Sequence, residues 1–133
     1  MVEVYIDGAS AGDPGPSGAG IFIKHEGQVS RYSFYLGIMD NHEAEFLALV
    51  KGLEICVEKG YSIVSFRSDS QAVVAAVEKK YVKNKRYAAQ LDRILALIDK
   101  LDLFFIKWIS NQENKVADEL ARQGIRLKGE HNE

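Results

Sequence analysis

The chain contains little cysteine, the residue that cross-links small secreted proteins, and little proline. Its 133 residues include one cysteine, Cys56, and two prolines, Pro14 and Pro16, which share one turn. One cysteine cannot form an intrachain disulfide and fits a reducing compartment. No basic-then-apolar leader precedes the first strand pattern, and no apolar run approaches the roughly 20 residues that span a bilayer. We therefore expect a single domain, residues 1–133, that is cytosolic and binds no membrane.

A strong excess of either charge is also missing. Lysine and arginine number 17 and aspartate and glutamate 19, for a formal net charge of −2, which argues against non-specific coating of nucleic acid. The charge is unevenly distributed, however. Residues 79–87, KKYVKNKRY, contain five basic residues and no acid. This basic segment is either a surface that contacts phosphates or a solvated connection between helices.

The first part of the chain predicts an antiparallel meander followed by a helix. Residues 2–7 alternate apolar and polar side chains, and residues 19–25 and 29–37 have the character of two more strands. Apolar residues then recur at helical spacing, with Asn41 as the predicted N-cap and Gly60 just past the helix end. This apolar stripe consists of Phe46, Leu49, Val50, Leu53 and Val57.

The second part alternates strands and helices. Residues 63–67 form the fourth predicted strand, a short helix covers about residues 70–78, and another helix follows the basic segment. Residues 103–109 form the last strand, and Asn114 is the predicted cap of a final helix. Strand–helix–strand units pair their strands in parallel through right-handed crossovers. The order β-β-β-α-β-α-α-β-α therefore predicts an α/β fold, a five-stranded mixed sheet with helices on its faces.

Four acidic residues lie where the predicted strands end or the helices begin. Asp7 closes the first strand and Asp69 follows the fourth, so parallel neighbours would place both carboxylates at one edge of the sheet. Glu45 lies near the start of the first helix and leans toward its apolar side, and Asp118 lies in the first turn of the last helix. Each acid alone also has a structural explanation as a turn residue, an N-cap or a partner of a helix dipole.

Together the four carboxylates predict a metal site. Close carboxylates repel one another, and an unpaired buried cluster is costly unless a cation compensates it. Oxygen ligands without cysteine or histidine suit Mg²⁺ or Mn²⁺. Two such ions about 4 Å apart would activate water and stabilise the leaving oxygen of a phosphodiester. The only lysine or arginine expected near these acids is Arg67, so their mutual repulsion is expected to destabilise the metal-free protein.

Four motifs resemble the type 1 ribonuclease H family and the related domain of reverse transcriptases over about residues 2–127. The motifs are YIDGASAGDPGPSGAG, DNHEAEFLAL, FRSDSQAVV and ENKVADELA. By this resemblance the family's catalytic, metal-binding carboxylates are Asp7, Glu45, Asp69 and Asp118. The resemblance implies a ribonuclease H-like fold, two Mg²⁺ or Mn²⁺ ions per site, and hydrolysis of the RNA strand of RNA–DNA hybrids. We expect a monomer.

The resemblance also implies a set of substrate contacts. Gly8, Asn41 and Gln71 match positions that touch the RNA strand near the cut. The basic segment takes the place of the family's larger basic protrusion, which holds the DNA strand, and contributes Lys83 and Asn84 to the implied contacts.

Three departures from the family pattern surround the intact carboxylates. Asp13 stands in a turn where the family has asparagine, and Asp40 stands where it has threonine or serine. The loop of residues 110–113, SNQE, lacks the histidine or arginine that the family often has before the last helix. These changes predict weaker substrate binding and slower turnover. Two alternatives stay open: a non-enzymatic module that binds hybrid or a protein partner, and a nuclease for another substrate, such as double-stranded RNA or single-stranded ends.

Overall fold

A computed structural model describes residues 1–127 and confirms the predicted order of elements. The strands are β1 (Val2–Ser10), β2 (Gly15–His25), β3 (Gln28–Met39), β4 (Ile63–Ser68) and β5 (Leu103–Trp108). The helices are α1 (Asn41–Glu58), α2 (Gln71–Lys79), α3 (Ala88–Ile98) and α4 (Lys115–Arg126). Short 3₁₀ turns at Lys85–Tyr87 and Asn111–Asn114 precede α3 and α4.

The five strands form one mixed sheet in the order β3-β2-β1-β4-β5, which confirms the predicted fold class. The first three strands pair antiparallel, whereas β4 pairs in parallel with both β1 and β5. In the β1–β4 pairing Ile6 lies opposite Ser68. Asp7 and Asp69 come next along the chain in each case, so the pairing brings both carboxylates to the same edge of the parallel sheet.

Helices cover both faces of the sheet. Ile6 and Phe66 are fully buried beneath α1, where the ideal Cβ position of Gly52 lies 3.2 Å from the Ile6 side chain. Successive strand residues point to opposite faces, so Asp7 faces the other side. On that side α4 packs across β2, whose Gly20 is paired with Asp7. Within residues 1–127 none of the helices combines the length and apolarity needed to cross a membrane.

Two glycines let these helices approach the sheet closely. A Cβ atom at Gly8 would lie 2.2 Å from the backbone oxygen of Ala44, and one at Gly20 would lie 2.2 Å from that of Ala117. Any side chain at either position would collide with helix backbone. Ala44 directly precedes Glu45, and Ala117 directly precedes Asp118. The two close approaches therefore bring these acids to the part of β1 that carries Asp7.

β1, β2 and β3 are longer than the sequence patterns predicted, and Asp7 does not close β1, which continues to Ser10. β2 begins at Gly15 and β3 runs on to Met39, because the Gly- and Pro-rich segment pairs with the end of β3 beyond a register shift at Ser17 and Gly18. The prediction of Gly60 just past the end of α1 is confirmed. Its φ of 74° is the left-handed conformation that favours glycine.

The prediction of Asn41 as the cap of α1 is wrong, whereas Asn114 does occupy the N-cap position of α4. Asp40, not Asn41, caps α1, because its carboxylate accepts the Glu43 N–H at 2.8 Å. The Asn114 side chain caps nothing at the start of α4. The preceding turn is instead closed at its own start, where the Glu113 carboxylate accepts the backbone N–H of Ser110 at 3.2 Å and its hydroxyl at 3.0 Å.

Candidate active site

The four predicted carboxylates line one cleft of about 710 Å³ at the carboxyl edge of the parallel strands. β1 supplies Asp7, the turn after β4 supplies Asp69, α1 supplies Glu45 just past its first turn, and the first turn of α4 supplies Asp118. Further lining residues, which the sequence patterns did not single out for this cleft, are Ser10, Asn111, Gln112, Lys115 and Arg122.

Asp7 carries the strongest electrostatic perturbation of the cluster. Burial, followed by the negative charges of Asp69 and Asp118, raises the pKa of Asp7 to about 9, and Glu45 adds to the effect. A hydrogen bond between the Asp7 and Asp118 carboxyls acts in the same direction. Near neutral pH the metal-free protein therefore keeps a proton on Asp7, which removes one negative charge from the cluster.

Glu45 is held by two neighbouring side chains. Burial raises the pKa of Glu45, while His42 and the Ser70 hydroxyl oppose that rise. The His42 Nδ1 atom lies 3.2 Å from Glu45 Oε1, and the Glu45 side chain is only 14% exposed. Glu45 therefore points into the cleft from a defined position, as its place beside the apolar stripe of α1 predicted.

Asp69 is positioned by Asn114, a residue whose role the sequence did not reveal. Asn114 is 1% exposed, and its Nδ2 group donates to Asp69 Oδ2 at 3.0 Å and to the Ile6 carbonyl at 2.8 Å. The Trp108 indole donates to the backbone carbonyl of Asp69 at 3.1 Å. One buried amide thus joins the start of α4, the middle of β1 and a candidate metal ligand.

Replacing Asn114 is expected to destabilise the fold and disorder the site together. Asn114→Ala leaves the buried Ile6 carbonyl without its amide partner, which costs about 1–3 kcal/mol, and frees the Asp69 side chain. Urea denaturation of Asn114→Ala beside the exposed-site variant Asn111→Ala measures the difference. Equal unfolding midpoints for the two variants would show that the buried amide contributes nothing to the fold.

Asp118 is paired with Arg122, a cation that the sequence patterns did not place near the four acids. The Arg122 Nε atom lies 3.3 Å from Asp118 Oδ1 and 3.2 Å from Oδ2, one helical turn along α4. The expectation that Arg67 is the only nearby cation is wrong. Arg67 instead binds Glu3 at 2.8 Å, while Arg122 and Lys115 line the cleft.

The donor set fits a hard divalent cation, although its ligands are not preset. The four converging acids offer only oxygen ligands, the class that Mg²⁺ and Mn²⁺ prefer. Burial first, and then the negative charges of Asp69 and Asp118, raise the pKa of Asp7, and a bound cation would offset both effects. In the part of the chain that the structure describes, however, no three acidic, histidine or cysteine side chains are already grouped as ligands for one ion. Binding a cation through Asp7 would require release of its proton.

The implied substrate contacts fall in two places. Gly8 and Asn41 lie in the carboxylate cleft, and Gln71 is the exposed first residue of α2. Lys83 and Asn84 instead line a second, largely apolar cleft of about 450 Å³ beside the basic segment. Its walls include Phe46, Ala76, Tyr81, Val82 and Tyr87.

Asp40 tethers the basic segment to the start of α1. Besides capping the helix, its carboxylate accepts the Tyr87 hydroxyl at 3.1 Å and lies 2.9 Å from Arg86 Nη2. Burial opposes ionisation, but the Glu43 N–H and the Tyr87 hydroxyl hold the pKa of Asp40 below its usual value. Asp40 was one of the three departures expected to weaken substrate binding, and its carboxylate is negatively charged. That charge is neutralised within the protein.

Comparison with known proteins places these features in a wider group. Residues 5–124 match the family described as reverse transcriptase-like. The chain is 39% identical over 127 residues to EbsB of Enterococcus faecalis, which is named as a candidate hydrolase, and the match covers 94% of each chain. It is 31% identical over 140 residues to ribonuclease H of Syntrophus aciditrophicus, covering 92% of this chain and 79% of that one.

A solved structure shares the fold closely. The chain superimposes on LC11-RNase H1, which was determined in complex with an RNA/DNA hybrid, with a TM-score of 0.87 and 28% sequence identity. The superposition covers 95% of this chain and 97% of that protein. The similarity therefore extends over the whole sheet and both helices that carry acids, rather than over one motif.

Proposed function

This chain belongs to the ribonuclease H family, and from that premise we propose that it is an endonuclease that hydrolyses the RNA strand of RNA–DNA hybrids. The family resemblance expected from the four sequence motifs is thereby confirmed. The observation that carries the proposal is the convergence of four carboxylates from four elements in one open cleft. The hybrid as substrate is supported by relatives named ribonuclease H and by the hybrid bound to LC11-RNase H1.

Mg²⁺ or Mn²⁺, two ions per site, would be held by Asp7, Glu45, Asp69 and Asp118. Bound ions of this kind activate a water molecule and neutralise charge on the phosphate and the leaving oxygen. The protein's own residues orient this ligand set. Asn114 fixes Asp69, and His42 with Ser70 fixes Glu45.

Substrate selection is proposed to divide between the two clefts. Gly8, Asn41 and Gln71 would contact the RNA strand beside the carboxylates, where a 2′-hydroxyl distinguishes RNA from DNA. Lys83 and Asn84, with the rest of the basic segment, would contact phosphates of the other strand. The local positive charge of this segment on a chain of net charge −2 supports that assignment.

A second candidate function is a catalytically silent module that binds hybrid or a protein partner. The observation that favours it is the lack, within residues 1–127, of three ligands already arranged around one ion. Asp13 and the loop of residues 110–113, which lacks histidine and arginine, add to this argument.

A cleavage assay separates the two candidates. A hybrid with label on each strand is incubated with the protein and either Mg²⁺ or Mn²⁺. We expect the RNA strand to be cut and the DNA strand to stay intact, with activity lost in Asp69→Asn and kept in Asp92→Asn, an exposed aspartate on α3. Double-stranded RNA and single-stranded ends serve as comparison substrates. Absence of cleavage with both metals, at protein concentrations equal to substrate, would favour the silent module.

We propose that the protein acts as a monomer in the cytosol. All four acids of the cleft come from one chain, and the single cysteine, Cys56, is buried, so neither a second copy nor a disulfide is needed to complete the site. Sedimentation velocity at micromolar concentration tests the monomer.

A further inference from the structure

Arg122 occupies an unusual place beside the carboxylate cluster. It is 60% exposed at the rim of the cleft and pairs with Asp118, whose side chain is 41% exposed. Asp118 also shares the hydrogen bond with Asp7. Asp118 therefore lies between a buried acid on one side and a guanidinium on the other.

A second arginine on the same helix shows what an ordinary surface position looks like. Arg126, one turn further along α4, lies 3.9 Å from Glu119, and both side chains are at least 60% exposed. Neither residue lines the carboxylate cleft. Both arginines lie on α4 and each is paired with an acidic residue, but only Arg122 faces the cluster of four carboxylates.

We propose that Arg122 is a resident counter-cation that holds Asp118 in the metal-free protein and is displaced when Asp118 takes up a divalent cation. Once displaced, its guanidinium remains at the rim of the cleft, where it contacts a phosphate of the bound substrate strand. The inference rests on the proposed function, because it takes the cluster as a metal site and a phosphodiester as the substrate.

The charge distribution supports both halves of this inference. With four acids converging, a fixed cation beside one of them lowers the repulsion that the metal-free fold must tolerate. The same cation competes with a metal ion for the oxygens of Asp118. A planar guanidinium also suits bidentate contact with phosphate. Lys115 on the same rim adds charge there without contacting Asp118 in the described structure.

The expected effects run in opposite directions. An exposed ion pair is worth about 0.2–1 kcal/mol, so Arg122→Ala should bind Mn²⁺ about 1.4- to fivefold more tightly than the unmodified protein. The same variant should show a KM for hybrid raised by at least about twofold at saturating metal, with kcat unchanged, because a phosphate contact is lost. A merely structural role would not tighten metal binding while weakening substrate binding.

The test measures free Mn²⁺ by electron paramagnetic resonance, and hybrid cleavage on the same samples of the full chain. Arg122→Gln accompanies Arg122→Ala as a second neutral variant, Arg122→Lys keeps the charge and should recover part of the KM effect, and Arg126→Ala is the matched control. Mn²⁺ binding in both neutral variants that is no tighter than in Arg126→Ala overturns the proposal, and so does an unchanged KM. If the unmodified protein binds Mn²⁺ but cleaves no hybrid, the proposed function fails, while tighter binding in Arg122→Ala still supports the counter-cation.

Discussion

Asp7→Asn is expected to abolish hybrid cleavage and, without metal, to make the protein more stable. The asparagine keeps the shape of Asp7 and can donate to Asp118, but it is neutral without taking up the proton that Asp7 must bind on folding near neutral pH. A stabilisation of about 2 kcal/mol would raise the melting temperature by about 5–10 °C near pH 8. Activity should fall by several orders of magnitude, since one of the four proposed metal ligands is lost.

The pH dependence of stability gives this prediction its sign. The pKa of Asp7 is raised from an ordinary 3.8 to about 9 in the folded protein, so the folded state binds one more proton than the unfolded chain between those values. Stability from this group is therefore complete below about pH 4, declines as pH rises, and levels off above about pH 9. The decline is at most about 1.4 kcal/mol per pH unit. Asp7→Asn should flatten it.

Thermal melts in chelator across pH 5 to 9 measure both effects, with Asp92→Asn as a matched loss of an exposed aspartate. A melting temperature for Asp7→Asn at or below that of the unmodified protein, at every pH, would show that the cluster does not strain the fold. It would also remove the main physical argument that a cation is needed there.

Metal affinity is expected to rise steeply with pH. Asp7 must lose its proton before it can bind a divalent cation. Binding of the cation below about pH 9 therefore releases one proton. The apparent affinity for Mg²⁺ or Mn²⁺ should therefore increase about tenfold per pH unit up to about pH 9 and then become constant. In contrast to the stability of the metal-free fold, binding improves as the solution becomes more alkaline.

Calorimetric titrations with Mn²⁺ at pH 6.5, 7.5 and 8.5, repeated in buffers of different ionisation enthalpy, count the released proton directly. Cleavage rates at subsaturating metal should follow the same trend, and saturating metal should reduce it. An affinity that stays constant across this range would place the Asp7 proton elsewhere and contradict the assigned electrostatics.

The positions of the four acids were predictable from sequence because each stands next to an unambiguous feature. Alternation in residues 2–7 ends at Asp7, and the apolar stripe of α1 starts beside Glu45. Parallel pairing of β1 and β4 then brings Asp7 and Asp69 to one edge. A local pattern and one topological rule were sufficient, so the cleft could be foreseen without side-chain detail.

The supporting residues were not predictable, because their partners are distant in sequence. Asn114 has the composition of a cap, and nothing local shows that its amide reaches Ile6, 108 residues away. Arg122 follows Asp118 at the spacing of an ordinary surface ion pair, so only the fold shows that it borders the cleft. Asp40 could not be paired with Arg86 before the basic segment was placed against α1. Local sequence patterns therefore locate the four acids better than they locate the residues that position those acids.

The Asp40 tether has a consequence for protein engineering. It fastens the end of the basic segment, at Arg86 and Tyr87, to the helix that carries Glu45. The exposed residues before that anchor, Lys83 and Asn84, have no such attachment to α1. A longer and more basic loop can therefore be grafted ahead of this anchor, which keeps the C-terminal end of the insertion fixed. The short basic segment is therefore a suitable insertion site, because residues that follow the insertion stay attached to α1.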